Sequence, residues 1–159
     1  MVRRLPELTP EEECDRILQG YGPEDFERIS VAMDRQFRMI HTRAQLLLGI
    51  IGVLISASVL ITTGKLIGRS SSDSLYIRWT GRILVAADGL QFAAAAVVFG
   101  GVMSVRWISR QPGTDLRGWV LSNLHQRDRK TRAYHLGAAF VMCSMVCYQV
   151  AIALALIHL

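Results

Sequence analysis

The chain has 159 residues, 51% of them apolar, and its 18 basic and 13 acidic residues leave a net charge of +5. Much of the apolar content lies in three blocks, Ala44–Gly64, Ile83–Val105 and Ala133–Leu159, of 21, 23 and 27 residues, which together carry one formal charge, Asp88. The remaining pieces of 43, 18 and 27 residues each fall short of the roughly 50 residues of an independent domain, so a separate soluble enzyme domain is not expected.

In chain order, Thr9-Pro10-Glu11-Glu12-Glu13 is a strong helix start. Thr9 can cap free amides, Pro10 suits the first helical position and the Glu residues complement the positive helix end. This helix is expected to stop near Gly20. A second begins at Gly22-Pro23-Glu24-Asp25, and Phe26, Ile29, Val31, Met33, Phe37 and Ile40 form an amphipathic stripe along it. No breaker precedes Ala44, so one helix is predicted over about 23–65. Its first half belongs to an N-terminal cytoplasmic helical arm, residues 1–43, and its second half is the first span, about 44–64. At 1.5 Å per residue even that span reaches roughly 32 Å, enough for a bilayer core of about 30 Å.

Ser70-Ser71-Ser72-Asp73-Ser74 marks a turn. A helix from about Asp73 to Ser109 should carry the second span, about 83–105, before Gln111-Pro112-Gly113 ends it. Thr114-Asp115 then caps a basic interfacial helix with Leu116, Trp119, Val120 and Leu124 on one side and Arg117, His125 and Gln126 on the other, a pattern that suits the headgroup level. Whether it merges with the third span, about 135–158, or breaks at Arg127–Arg132 stays open. Tyr76, Trp79, Trp107, Trp119 and Tyr134 flank the spans, as interfacial aromatics do. The expected fold is thus an all-α membrane protein whose residues 44–159 form a three-helix transmembrane domain.

Lys and Arg near the spans set orientation. Arg28, Arg35, Arg38 and Arg43 with the seven basic residues of 106–132 outnumber the four of 65–82, which places the N-terminus in the cytoplasm and the C-terminus at the outer face of an inner membrane. The first apolar block follows 43 mostly polar residues, so no signal peptide is expected. Arg35, Arg38, Arg43, Arg127, Arg129, Lys130 and Arg132 are candidate anion-facing residues, because guanidinium forks suit phosphate oxygens. Their position at membrane boundaries points to anionic lipid headgroups and not to a nucleic acid polymer.

Asp88 is the costly residue, at about 2.5–3.5 kcal/mol in the bilayer centre. Ten Ile, Leu, Val and Phe residues of Ile83–Val105 offset it at about −0.3 to −0.6 kcal/mol each. It either lines a polar path or makes a static pair with Lys65, assisted by Gln91. Small residues recur every fourth position, Ala139, Cys143, Cys147, Ala151 and Ala155 on the third span, Ala96, Gly100 and Ser104 on the second, Gly52 and Ser56 on the first. Such stripes let helices approach closely, within one subunit or between subunits of a homo-oligomer or larger membrane complex. Cys143 and Cys147 lie one turn apart without His or carboxylate nearby, so no metal site is expected there, and the three cysteines are expected as free thiols. No phosphate-cradling loop, dinucleotide fingerprint or hydrolase arrangement occurs, so no cofactor and no catalytic residue is expected.

His41-Thr42-Arg43-Ala44-Gln45-Leu46-Leu47-Leu48 is similar to the basic-Ala-x-Leu-Leu start of the first span in the small transmembrane effectors of bacterial Pycsar-type anti-phage systems. Arg129-Lys130-Thr131-Arg132-Ala133, leading into the last span, resembles a second feature of that group. Thr42 stands where an acidic residue often precedes the first motif. The resemblance covers roughly residues 25–159. It implies a membrane effector that a pyrimidine cyclic nucleotide signal activates to impair the bilayer. From the residues alone, a structural subunit of a membrane complex and a small-solute or proton transporter centred on Asp88 are the alternatives.

Overall fold

The computed structural model describes residues 8–22, 25–68, 75–103 and 115–157, with side chains over 8–22, 25–60, 78–103 and 115–154. The described residues are all helical apart from short flanking positions. Helix α1 spans Pro10–Tyr21, α2 Phe26–Gly68, α3 Leu75–Val98 and α4 Leu116–Ile157. A π-helical turn, Phe99–Met103, continues α3. Three helices are long and apolar enough to cross a membrane, over Phe26–Leu60, Arg78–Met103 and Leu116–Leu154.

Local chemistry explains the helix ends. The Glu12 backbone N–H donates to Thr9 Oγ1 at 3.3 Å and the Thr9 N–H donates to Glu12 Oε2 at 2.9 Å, a reciprocal cap that satisfies two otherwise free amides. Helix α1 ends one residue beyond Gly20, at Tyr21. Gly22 takes φ +81°, a region open to glycine, and its N–H donates to Leu18 O at 3.0 Å. At the start of α4, Asp115 Oδ1 accepts the Gly118 N–H at 3.0 Å.

Helix α4 is unbroken over 42 residues, and α2 over 43. Each is therefore roughly 65 Å long, about twice a bilayer core. The Arg127–Arg132 cluster does not interrupt α4. Sequence signals beyond Met103, including Ser104, Trp107 and Gln111-Pro112-Gly113, lie outside the described residues, as do Ser70–Ser74.

Two cores divide the molecule along these long helices. The lower one, the head, joins Cys14 of α1, Ile29 and Met33 of α2, and Val120 and Leu124 of α4, with Ile17, Leu18 and Trp119 packed around them. The apolar side of the basic segment thus packs against α1 and α2. Three amphipathic helices close around one apolar centre, and Trp119 meets Phe26 edge-on at 5.0 Å between ring centroids. The stripe expected on α2 holds for Ile29, Met33 and Phe37, whereas Val31 points outward.

The upper core, the bundle, is built from Ala44, Leu47 and Ile51 of α2, Ala94, Val98 and Val102 of α3 and its π turn, and Val141 of α4. Here α3 and α4 approach most closely through glycine. A Cβ on Gly101 would overlap the Ala133 side chain, and one on Gly137 would overlap Val98. In a bundle of apolar helices, such close backbone approach supplies the dispersion contacts that hold helices together.

Candidate functional site

Asp88 lies on the inward side of α3 among three helices. Its Oδ1 accepts the Ser58 hydroxyl of α2 at 2.7 Å and also the Tyr148 hydroxyl of α4. The side chain is half-buried. One turn along α4, the buried Ser144 hydroxyl donates to the Ala87 carbonyl at 3.0 Å. These bonds tie all three long helices at one level, where the surroundings offer few other polar groups and each bond is correspondingly hard to replace. The Lys65 side chain, the expected partner of Asp88, lies outside the described residues. Gln91 does not assist Asp88 by a hydrogen bond: it is fully buried, and neither Nε2 nor Oε1 has a partner.

The second polar cluster joins head to bundle. The Arg127 guanidinium of α4 donates to both carboxylate oxygens of Glu13 on α1, at 2.5 and 2.7 Å, to Asp128 and, at 3.3 Å, to Gln36 of α2. These partners raise the Arg127 pKa further above its ordinary value, mainly through the bond to Glu13. One turn on, Lys130 is only 6% exposed. Its Nζ lies 3.1 Å from His41 Nε2 and 5.6 Å from the Phe37 ring centroid. Burial holds the Lys130 ammonium below the usual lysine pKa of 10.5.

These positions correct the expectation that Arg127 and Lys130 face headgroups. Arg127 is taken up by carboxylates and Lys130 is covered by α2, because this part of α4 packs against α1 and α2. Arg35, Arg38, Arg43, Arg129 and Arg132 are exposed. Arg38 pairs with Asp34 at 2.7 Å, and exposed pairs of this kind contribute at most about 1 kcal/mol. Arg35 makes no ion pair among the described residues. It lines an open groove of about 740 Å³ on α2 with Tyr21, Glu27, Arg28, Val31 and Met39.

The four-residue stripes largely face outward. Gly52, Ser56, Ala96, Gly100, Ala139 and Cys143 are exposed, Cys147 is half-buried and Ala151 is buried. Ser56 returns its hydroxyl to the Gly52 carbonyl at 2.8 Å. The Ala155 side chain and Ser104 lie outside the described residues. The close contacts within the protomer fall instead on Gly101 and Gly137, neither of which the stripes include. Their spacing singled out neither, and only the helix rotation shows which glycines meet a neighbour. Tyr148 is a neutral polar residue in the third span, and only the packing shows that its hydroxyl meets Asp88.

Among the described residues no group of three His, Cys, Asp or Glu side chains is placed to hold a metal ion. No family model, curated protein or solved structure matches the chain.

Proposed function

We propose that this protein is a signal-responsive membrane effector without enzymatic activity, in which a cytoplasmic head controls the packing of three membrane spans. The observation that carries this reading is the continuity of α2 and α4, which each run unbroken from the head core into the bundle core. A helix with an intact hydrogen-bond ladder transmits rotation and tilt, so a change at the head reaches Ser58 and Tyr148 on the same two rods that meet at Asp88. The groove beside Arg35 is where an anionic signal is received: Arg28 and Arg35 supply positive charge, and Tyr21 a ring for stacking. Resemblance to the Pycsar-type effectors gives the class of signal as a pyrimidine cyclic nucleotide and the setting as anti-phage defence. In this reading the head lies on the cytoplasmic side of the inner membrane, against anionic headgroups contacted by Arg43, Arg129 and Arg132.

The test is induced expression in bacteria with and without a pyrimidine nucleotide cyclase, with entry of a membrane-impermeant dye as the readout. Dye entry that requires the cyclase and is lost in Arg35→Ala supports the proposal. Dye exclusion under all conditions, with normal membrane insertion, rejects it.

The outward-facing small residues favour a second reading. Gly52, Ala96 and Ala139 are exposed among the described residues, and they provide close-approach surfaces for helices of other chains. A structural subunit of a larger membrane complex would use them, and would be inert when expressed alone. Crosslinking in native membranes distinguishes self-assembly from capture by other proteins.

A further inference from the structure

Gln91 occupies the inward face of α3 with Leu84, Ala87, Ala94 and Val98, and it is fully buried. A primary amide removed from solvent with neither its donor nor its acceptor engaged is strongly unfavourable, and native proteins rarely leave one so. Asp88 stands three residues earlier on the same helix. Both hydroxyls that reach it, from Ser58 and Tyr148, converge on Oδ1, and Oδ2 receives neither. Among the described residues no cationic side chain pairs with Asp88. Among the described residues, two independent deficits therefore sit within one helical turn, a carboxylate that no cation meets and a buried amide oxygen without a partner.

We propose that Asp88 and Gln91 form an intramembrane binding site for a small monovalent cation of the alkali-metal class. Residues three apart on a helix have Cβ atoms about 5–6 Å apart. Two oxygens ligating one hard cation at about 2.3–2.6 Å stand at most roughly 5 Å from each other, so Asp88 Oδ2 and Gln91 Oε1 can share an ion by rotamer adjustment alone. The ligand chemistry is hard oxygen, carboxylate and amide, which suits alkali and alkaline-earth ions and not soft metals. Charge decides between those two groups. One carboxylate neutralises one positive charge, and a divalent ion would leave a net charge within the apolar bundle. Ser58 and Tyr148 hold the carboxylate from the adjacent helices, so ion occupancy bears directly on how α2 and α4 sit against α3.

The full-length protein in lipid nanodiscs tests this by thermal unfolding in sodium, potassium, lithium or choline chloride at equal ionic strength. One alkali ion should raise the midpoint above that in choline, saturably, by about 3–6 °C at ten times its dissociation constant. Gln91→Leu removes the amide and leaves the Asp88 hydroxyl bonds in place, so it should fold and lose the ion-dependent rise. Asp88→Asn should lose it too, but Gln91→Leu decides the matter alone. Equal midpoints in all four salts overturn the site, as does an ion-dependent rise that survives Gln91→Leu. A midpoint that follows pH without following the cation shows that a proton satisfies Asp88, and also overturns it.

Discussion

Arg127 and Glu13 lie 114 residues apart in sequence and meet through two parallel N–H···O bonds, fastening α1 to the N-terminal third of α4. Their side chains are 21% and 25% exposed, so water screens the pair only partly. Removing one partner leaves the other charge half-buried, and that costs more than an exposed pair returns. Arg127→Ala should destabilise the head by about 1–3 kcal/mol. Limited proteolysis should then cleave α1 first, and a double-mutant cycle with Glu13→Gln should show coupling above about 0.5 kcal/mol. A purely additive cycle would mean that the pair contributes nothing.

Close helix approach gives a second prediction. Gly137→Ala places a methyl group against Val98, and Gly101→Ala places one against Ala133. Each should destabilise the bundle by about 1–3 kcal/mol through overpacking. Gly52→Ala and Gly89→Ala meet open space in the protomer and should be neutral to slightly stabilising. Unfolding in mixed micelles compares the four variants. If Gly52→Ala proves as damaging as Gly137→Ala, the Gly52 face is an interface.

Lys130 sets a pH dependence. Its folded-state pKa is lowered by burial, so the folded protein binds the proton less tightly than the unfolded chain. The corresponding stability is present above the unfolded value near 10.5 and is lost as pH falls through the lower folded value. Lys130→Met carries no such proton. The stability difference between wild type and Lys130→Met should therefore move in favour of wild type as pH rises from 8 toward about 10.5. A difference independent of pH would remove burial of the charge as the cause.

Cys14 behaves in the opposite sense. Burial raises its thiol pKa above 9.0, and Sγ faces the Arg117 carbonyl at 3.8 Å. Stability from the neutral thiol is complete below pH 9.0 and is lost as pH rises through the folded value. At pH 8, in a Cys143→Ser/Cys147→Ser background, maleimide should label Cys14 at least about tenfold more slowly than a free peptide thiol. Arg127→Ala should speed the labelling by loosening α1. Equal rates in the two backgrounds would uncouple Arg127 from head closure.

Tyr148→Phe removes one hydroxyl from Asp88 and keeps the ring. Hydrogen bonds between helices in membranes are worth about 0.6–1.7 kcal/mol, so a loss in that range is expected, measured by unfolding in mixed micelles. Ser58→Ala should add a comparable loss but less than the sum, because both hydroxyls serve one oxygen.

Much of the architecture was written locally. The reciprocal cap between Thr9 and Glu12 uses residues three apart, and three apolar blocks long enough for a bilayer appear in composition alone. Asp88 was legible as the costly residue for the same reason, a single charge in 71 apolar-block residues. Which way each helix turns was not legible. The apolar blocks are apolar on every side, so periodicity marks no inward face, and stripes such as Gly52/Ser56 and Ala139/Cys143 look as suited to internal packing as the Gly101 and Gly137 contacts that the protomer uses.

By itself, then, the amino-acid order determined the helix starts and three segments long and apolar enough to cross a membrane, because capping, chain rise and hydropathy act within a few residues. The continuity of α4 through Arg127–Arg132 was left open. The tertiary structure alone decided that Ser58 and Tyr148 hold Asp88, that Glu13 receives Arg127 and that Lys130 is buried beside His41. Those pairings depend on the rotation and offset of packed helices, which follow from shape complementarity summed over contacts far apart in the chain.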